Sequence, residues 1–302
     1  CPVGALTSKP YSFTARPWVD DALYAWFKRW KRPDFVHGWF RERRFALMRS
    51  ALAGNAHVFA NSEFTADLLR TEGMTRFTVI PGGVDAAEFA PLSARPARTG
   101  FTFLTACRVV AKKGIETFIE AARLVRAARA DARFVVAGDG PRLEAMRRLA
   151  GPGLIDFAGR VPHEQMKNFY HAADCFVLAS REHVHPRTGL RDVETMGRVV
   201  CEAGAAGLPV IAARSGGIPS VVTHGDNGFL FAPENARELA ARMLFLASTP
   251  AAAARLAERG LERAQKEWDW NVVLSRQVAA MGLSPQMRNR PRERPWPAAS
   301  QY

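Results

Sequence analysis

Two carboxylates, Glu194 and Glu202, are the residues whose type and spacing most directly indicate chemistry. Seven residues separate them, and an apolar strand pattern (209–213) with a Gly-Gly turn follows. Carboxylates accept paired hydrogen bonds from neighbouring hydroxyl groups, so a sugar or a ribose is a natural ligand for such a pair. The alternative is one solvated glutamate and one glutamate at a helix N-terminus, where the helix dipole favours an acid. The pair alone leaves both interpretations open.

Arg108 and Lys113 form a second candidate site, because they flank a predicted strand-to-helix turn in which Gly114 opens the helix. A helix N-terminus offers free N–H groups and a positive dipole end, and two basic side chains there could balance a diphosphate. The alternative is a pair of surface cations near a loop. The sequence has no Asp-x-Asp motif. We therefore expect no metal site and no cofactor, with arginine, lysine and helix dipoles neutralising any diphosphate.

The segment ARSGG (213–217) resembles a hydrolase nucleophile elbow, which makes a serine hydrolase using Ser215 a rival function. Such an enzyme needs a later acid and a later histidine. His224 is the only histidine after Ser215, nine residues on, and no acid-bearing strand lies between them. The favoured interpretation is a Gly-rich turn that lets backbone amides approach a phosphate or a sugar.

Two other patterns are interpreted as structural. GDGPRLEAM (138–146) resembles the dinucleotide fingerprint, but Leu143 stands where the third glycine belongs. A tight turn followed by a helix that starts at Pro141 is therefore favoured over a dehydrogenase. His183 and His185 lack a convincing third metal ligand, so we expect them to be loop residues.

The composition bounds the class of protein. With 302 residues, 48% of them hydrophobic, the chain is long enough for two domains with large cores. Part of the net charge of +13 lies in basic clusters at 26–44 and 288–297. These are typical of solvated faces and tails, and they could also dock on an anionic membrane surface or retain nucleic acid non-specifically. No apolar run approaches the ~20 residues of a membrane span, and the four scattered cysteines indicate reduced thiols. We expect a cytoplasmic protein, placed at the cytoplasmic face of the membrane if the clusters dock there, with no specific nucleic-acid partner.

Short apolar runs alternate with helical patterns from residue 57 onward. The expected strands are 57–60, 77–80, 101–106, 133–138, 155–159, 175–180, 209–213 and 228–232. This alternation predicts an α/β fold with a doubly wound parallel sheet of the Rossmann type, whose ligands bind at the carboxyl ends of strands. Too few strands precede residue 84 to bury a sheet, so we expect an earlier portion to come before this chain. The predicted divisions are a partial N-terminal domain (1–90), a C-terminal domain (91–268), a crossover helix (269–282) and a disordered tail (283–302).

In combination these motifs resemble the retaining glycosyltransferases of family 4, also called group 1, from about residue 10 to 281. The segments that carry the resemblance are Cys107-Arg108, Lys113-Gly114, GDGP (138–141), FAGRV (157–161), ADCFVLAS (173–180), ETMGRVVCEA (194–203), GLPVIA (207–212) and GGIPSVV (216–222). The resemblance implies the GT-B fold, with a complete donor-binding domain and part of the acceptor-side domain in this chain. It implies transfer of a sugar from a UDP- or GDP-linked donor, with retention and without metal. The implied acceptor is a glycan or lipid-linked sugar in polysaccharide (exopolysaccharide) or glycolipid biosynthesis.

The resemblance also implies residue roles. Arg108 and Lys113 would bind the donor diphosphate, and Glu202 the ribose hydroxyls. Glu194 would bind the donor sugar and, with Arg108 and Lys113, belong to the catalytic set. The implied donor-binding residues are Arg108, Lys113, Val161 near the base, Glu194, Met196 and Gly197 through their amides, and Glu202.

The chain departs from the family pattern at three places, of which Arg16, together with the expected missing start, bears on activity. Cys107 replaces a glycine, residues 182–193 lengthen the loop before Glu194, and Arg16 stands where a family segment carries an active-site histidine. A nucleotide-sugar-binding homologue without activity is therefore a rival to the enzyme.

Overall fold

The structure is a computed structural model that describes residues 57–92, 99–186, 189 and 191–282. Arg16, both basic clusters and the predicted tail lie outside the described residues. The expectations attached to them stay predictions, as do the predicted domain divisions.

The described chain forms ten β-strands. They are β1 (Phe59–Ala60), β2 (Thr78–Val79), β3 (Phe101–Ala106), β4 (Ala132–Ala137), β5 (Asp156–Gly159), β6 (Cys175–Leu178), β7 (His183–Val184), β8 (Arg191–Asp192), β9 (Val210–Ala213) and β10 (Phe229–Phe231). Seven of the eight predicted strand segments contain one of them, and the eighth, 133–138, overlaps β4 with a shift of one residue. The other two, β7 and β8, pair antiparallel as a hairpin in the lengthened loop before Glu194.

The same described residues form eight α-helices. They are α1 (Glu63–Thr71), α2 (Ile115–Ala128), α3 (Leu143–Ala150), α4 (His163–His171), α5 (Arg198–Ala205), α6 (Ala236–Ser248), α7 (Pro250–Arg263) and α8 (Trp270–Ala280). A 3-10 turn covers Ala111–Lys113, and a second one covers Ile218–Ser220. Helix α3 begins two residues after Pro141, which lies in the preceding turn, so the expected proline start is wrong.

The predicted helical segment 251–281 is interrupted. Helix α7 passes into a π-helical turn, Ala264–Trp268, and α8 starts afresh. The break lies at Asp269, whose side chain accepts a hydrogen bond from the Asn271 N–H at 2.9 Å and so caps α8. Its neighbours bond outside the helix, since the Trp270 N–H donates to the Val84 carbonyl at 3.1 Å.

The main sheet has six parallel strands in the order β10-β9-β6-β3-β4-β5. The chain winds outward from β3 in one direction and then from β6 in the other. The doubly wound prediction is therefore confirmed, and β3 and β6 meet at the point where the winding reverses. In sheets of this kind, the crevice at the carboxyl ends of those two strands is where ligands bind.

Apolar side chains cover both faces of the main sheet, because adjacent residues along a buried strand point to opposite sides. Along β3, Phe103 packs in the core beneath α2 and α6, and Leu104 packs in the core beneath α5. Phe118 and Phe134 enlarge the first core, and the fully buried Trp268 fills the second. Burial on both faces makes the strands continuously apolar and fixes the positions of their carboxyl ends.

A smaller unit precedes this sheet. Strands β1 and β2 pair in parallel, and α1 packs on them through Ala66 and Leu69. The Ser62 side chain caps α1 by accepting a hydrogen bond from the Thr65 N–H at 3.1 Å. The segment that leaves β2 then pairs with the start of α8, where the Val84 N–H donates to the Trp268 carbonyl at 2.8 Å.

Candidate functional site

A cavity of about 480 Å³ opens at the carboxyl ends of the main-sheet strands. Arg108 follows β3, Val161 follows β5, and Glu202 faces the cavity from α5. The full lining is Ala106, Cys107, Arg108, Ala137, Gly138, Asp139, Gly140, Arg160, Val161, Met166, Tyr170, Val199 and Glu202. Arg108 and Arg160 are exposed cations at its mouth. Three of the residues that the family resemblance selects thus share one crevice. Two cations, Arg108 and Arg160, and two acids, Asp139 and Glu202, line the same space.

Glu202 is held by a side chain that sequence reasoning did not select. The Tyr170 hydroxyl, on α4, donates a hydrogen bond to Glu202 Oε2 at 2.8 Å. Tyr170 is fully buried, whereas Glu202 is half-buried. Burial raises the pKa of Tyr170 well above its ordinary value, and the nearby Glu202 charge adds to the rise. The hydroxyl therefore keeps its proton and remains a donor.

Lys113 and Glu194 form an ion pair between Lys113 Nζ and Glu194 Oε2. The two side chains are only 12% and 14% exposed. They come from different parts of the chain, Lys113 from the turn after β3 and Glu194 from the loop after β6. Lys113 lies in the turn that follows Cys107 and Arg108 along the chain, and those two residues line the cavity.

Gly114 lets the turn that carries Lys113 approach strand β6. Its φ of 59° lies in the left-handed region, and a Cβ atom there would collide with the carbonyl oxygen of Ala179. The Arg181 N–H donates to the Lys112 carbonyl at 2.7 Å, which joins the same turn to the end of β6. The glycine after Lys113 is therefore needed for a close backbone contact.

Gly217 supports the backbone of Glu194 from the opposite side. The Gly217 N–H donates to the Glu194 carbonyl at 2.8 Å, and a Cβ atom on Gly217 would collide with the Thr195 carbonyl. Ser62 Oγ also donates to that Thr195 carbonyl, at 2.5 Å. Sequence reasoning assigned this Gly-rich turn to a phosphate or a sugar. In the structure, its close approach is to the protein's own backbone at Glu194 and Thr195.

Met196 and Gly197 lie inside the protein, between the Glu194 loop and α5. The Met196 thioether accepts a hydrogen bond from the Gly82 N–H at 3.1 Å, and its side chain is 1% exposed. Gly197 precedes α5 with a φ of 87°. The Met196 side chain therefore joins the smaller unit to the main sheet, and neither residue is among those that line the cavity.

Cys107 carries a neutral thiol in this site. Burial raises its pKa to about 11, Lys113 opposes the rise, and Glu194 adds to it. A thiol becomes a strong nucleophile only as a thiolate, so this one is unreactive at neutral pH. The described cysteines, Cys107, Cys175 and Cys201, are all free thiols, which agrees with the expectation of reduced cysteines.

The β7–β8 hairpin stands beside the Glu194 loop. Lys112 Nζ donates to Asp192 Oδ1 at 2.7 Å and to the Val193 carbonyl at 3.3 Å, which ties the hairpin to the turn after β3. His183 lies in β7 opposite Asp192, so the expectation that it is a loop residue is wrong. No three metal-ligating side chains come together within the part of the chain that the structure describes.

Ser215 and His224 do not form a hydrolase pair. Ser215 is 7% exposed, and its backbone N–H bonds to Ala213. The His224 ring contacts the Leu230 backbone through Nδ1, which lies 3.0 Å from the Leu230 amide nitrogen and 3.1 Å from the Leu230 carbonyl oxygen. The ring is thus engaged in holding the turn before β10, and the geometry gives no support to nucleophilic catalysis by Ser215.

The family model for glycosyl transferases of group 1 matches residues 93–263, more than half of the chain. The chain belongs to this family. A relative from Corynebacterium glutamicum is a "GDP-mannose-dependent monoacylated alpha-(1-6)-phosphatidylinositol monomannoside mannosyltransferase". It is 35% identical over 209 residues, which make up 65% of this chain and 54% of the relative. A glycogen synthase from Mycobacterium tuberculosis is 31% identical over 206 residues, or 67% of this chain and 47% of that one. The chain spans about half the length of these relatives.

Solved structures show the same fold. The sucrose-phosphate synthase of Thermosynechococcus elongatus superimposes with a TM-score of 0.65 at 26% identity, over 79% of this chain and 62% of that one. The C-terminal domain of a group 1 glycosyl transferase from Francisella tularensis gives a TM-score of 0.54 at 25% identity. The superposition includes the whole of that domain and 62% of this chain. The predicted GT-B fold is therefore confirmed.

Sequence reasoning missed Tyr170, Lys112 and Ser62 in this site. Tyr170 and Glu202 are 32 residues apart, and 80 residues separate Lys112 from Asp192. No local pattern connects such residues. Only Lys112 could have been suspected from the sequence, because it stands next to Lys113 in the turn after β3.

Proposed function

We propose that this chain binds a nucleotide-diphosphate sugar, UDP- or GDP-linked, in the crevice between β3 and β6, and that the protein transfers the sugar with retention and without a metal ion. The acceptor that we propose is a glycan or a lipid-linked sugar in polysaccharide or glycolipid biosynthesis. In this proposal Arg108 and Lys113 bind the diphosphate, Glu202 binds the ribose, and Glu194 binds the sugar. Val161 lies by the base.

The observation that carries the proposal is the arrangement of the four charged groups. Glu202 and Arg108 face one cavity, and Lys113, which pairs with Glu194, lies in the turn that follows Arg108. A diphosphate is bound by fixed positive charge. The hydroxyl groups of the ribose and of the sugar are each bound by a fixed hydrogen-bond acceptor, here a glutamate. The departing diphosphate gains charge in the transition state, and preorganised cations there would stabilise it.

The relatives support the donor class and the acceptor class. Mannosyltransferases that act on phosphatidylinositol mannosides with GDP-mannose are related to this chain at 35% and 32% identity. Their acceptors are lipids, which agrees with a lipid-linked acceptor. A net charge of +13 would favour docking at an anionic cytoplasmic membrane face. None of the described helices has the length and apolarity that a bilayer crossing requires.

A donor-hydrolysis assay on the 302-residue chain tests the proposal. We expect release of UDP or GDP from UDP-glucose or GDP-mannose, unaffected by EDTA. Lys113→Ala should lower the rate by roughly 100-fold or more, the usual effect of removing one preorganised donor to a developing negative charge. Glu194→Ala should also lower the rate, because the donor sugar loses its acceptor. The anomer released, read by proton NMR before it mutarotates, reports retention.

Two matched variants serve as controls. Glu120→Ala removes an exposed glutamate on α2 and should leave the rate unchanged. Ser215→Ala should also retain activity, and its loss would favour the hydrolase instead. Binding of UDP or GDP without sugar release would identify a nucleotide-sugar-binding homologue that lacks activity.

A further inference from the structure

Tyr170 and Glu202 approach each other from two different helices at the cavity. Tyr170 lies on α4, which follows β5, and Glu202 lies on α5, which leads into β9. Both side chains line the cavity, and the hydroxyl of one donates to the carboxylate of the other at 2.8 Å. The bond therefore fixes a carboxylate that would otherwise rotate freely at the end of its side chain.

The tyrosine ring is itself held by aromatic contacts. Phe89 packs edge-on against it with ring centroids 5.5 Å apart, and Phe176 packs at 5.7 Å in a tilted arrangement. All three rings are less than 2% exposed. Such pairs add stability beyond the area that they bury, so the hydroxyl has one well-defined position.

One of these contacts reaches the segment between the smaller unit and the main sheet. Phe89 belongs to the stretch after Val84, and the His171 ring Nε2 lies 3.4 Å from the Phe89 carbonyl and 3.0 Å from the Ala90 carbonyl. Backbone and side chain of this connecting segment are thus both attached to α4. The position of Tyr170 depends on that attachment as well as on its own helix.

The bond leaves most of the carboxylate available to a ligand. A carboxylate offers about four acceptor positions, and the tyrosine occupies one of them on Oε2. Oε1 and the remaining lone pairs can accept hydrogen bonds from two neighbouring hydroxyl groups. A carboxylate that is already immobile loses little side-chain entropy when it binds, which corresponds to about three- to tenfold in affinity.

We propose that Tyr170 is a positioning residue for Glu202 and thereby sets how strongly the site distinguishes ribose from deoxyribose. This inference rests on the proposed function, in which Glu202 binds the ribose. It goes further by naming the residue that orients the acid. Tyr170 touches no reacting atom and acts only through the carboxylate.

The test uses the 302-residue chain and isothermal titration calorimetry with UDP, GDP and their 2′-deoxy forms. Wild type should bind one of the ribonucleotides more tightly than its deoxy form. Tyr170→Phe keeps the ring and removes only the hydroxyl. We expect it to weaken ribonucleotide binding by about three- to tenfold and to change deoxynucleotide binding less, so that the ratio of the two affinities falls.

A double-mutant cycle with Glu202→Ala, which removes the acceptor, sharpens the result. If Tyr170 acts through the carboxylate, Tyr170→Phe should have little further effect on binding in the Glu202→Ala background. Equal weakening of ribo- and deoxyribonucleotides, or full additivity with Glu202→Ala, would overturn the inference while leaving donor binding intact. A folded wild-type chain that binds neither UDP nor GDP would instead overturn the proposed function itself. Circular dichroism melting checks that each variant is folded.

Discussion

At the scale of single residues, each acid of the site has a partner from a distant part of the chain. Lys113 neutralises Glu194, and Tyr170 donates to Glu202. The two acids differ in what binds them, a cation in one case and a neutral hydroxyl in the other. Two glutamates on one short segment of sequence therefore have different electrostatic surroundings, which is consistent with the different roles proposed for them.

The Lys113–Glu194 pair should contribute to stability as a coupled unit. Lys113→Met leaves the largely buried Glu194 without its partner, and Glu194→Leu does the same to Lys113, so we expect each to lower the free energy of unfolding by about 1–3 kcal/mol. The double variant should lose less than the sum of the two, with a coupling energy on the order of 1–3 kcal/mol. Urea denaturation of the four proteins measures it.

An exposed ion pair is the matched control for that cycle. Arg70 and Asp67 on α1 lie 2.5 Å apart and are 53% and 71% exposed. Their cycle should give less than about 1 kcal/mol, because solvent screens exposed pairs. Additive losses for Lys113 and Glu194 would show that the two side chains are not coupled in solution.

At the scale of elements, the loop that carries Glu194 is fixed from three sides. Gly217 bonds to its backbone, Ser62 reaches it from the start of α1, and Lys112 holds the preceding hairpin. The residues between β8 and α5 belong to no helix or strand whose hydrogen bonds would define their shape. The contacts with Gly217, Ser62 and Lys112 define it instead.

Gly217→Ala tests how closely the loop is packed. Gly217 has a φ of −83°, which alanine adopts readily, so any effect must come from the collision of the new Cβ atom with the Thr195 carbonyl. We expect a loss of about 1–3 kcal/mol in the free energy of unfolding, together with weaker donor binding. Urea denaturation and calorimetry measure the two effects.

The comparison variant is Gly260→Ala, in the interior of α7. Its Cβ atom would have no neighbour nearer than 3.5 Å, so alanine should be neutral or stabilising by up to about 1 kcal/mol. If Gly217→Ala changed the free energy of unfolding as little as Gly260→Ala, the Glu194 loop would be able to move away from the new Cβ atom. The close contact between Gly217 and Thr195 would then not exist in solution.

The strands and the site were predictable to different degrees. Continuous apolar runs such as β3 and β9 are visible because burial on both faces leaves no room for polar residues. The β7–β8 hairpin escaped prediction, since strands of two residues have too few positions to show a period. Gly217 was recognised as a turn, but its contact with Glu194 spans more than twenty residues and depends on how β6 and β9 lie side by side.

At the scale of the whole molecule, the smaller unit and the main sheet share backbone hydrogen bonds. The Val84 N–H donates to the Trp268 carbonyl, and the Val84 carbonyl accepts from the Trp270 N–H at the start of α8. Gly83 lies so close to the Trp270 ring that any side chain there would collide with it. The carboxyl-terminal helix thus packs against the segment that leaves β2. The crossover helix (269–282) and the domain divisions stay predictions.

The stability of the whole molecule should fall at alkaline pH. Burial raises the pKa of Cys107 to about 11 and also raises the pKa values of Cys175 and Cys201. Unfolding releases these thiols to ionise near their ordinary pKa of about 8.5. Above that pH the unfolded state binds fewer protons than the folded state. The free energy of unfolding should therefore decrease by about 1 kcal/mol per pH unit for each buried thiol.

Urea denaturation at pH 7.5, 8.5 and 9.5 follows this decrease. Cys201→Ala removes one titrating thiol from the core beneath α5, so its stability should decline less steeply with pH than that of wild type. A wild-type stability that rose between pH 8.5 and 9.5, or the same slope in both proteins, would contradict the assignment of buried neutral thiols.

The ion pair of Lys113 and Glu194 has a consequence for selectivity. Glu194 serves as the counter-ion of Lys113, so a simple anion that approaches the lysine meets a negative charge already in place. If inorganic phosphate took the place of Glu194 beside Lys113, the Glu194 carboxylate would lose its only cationic partner among the described residues. A ligand that brings both a phosphate and hydroxyl groups offers a new partner to each side chain. The pair would thus favour ligands with both groups over the abundant small anions that compete for any exposed lysine.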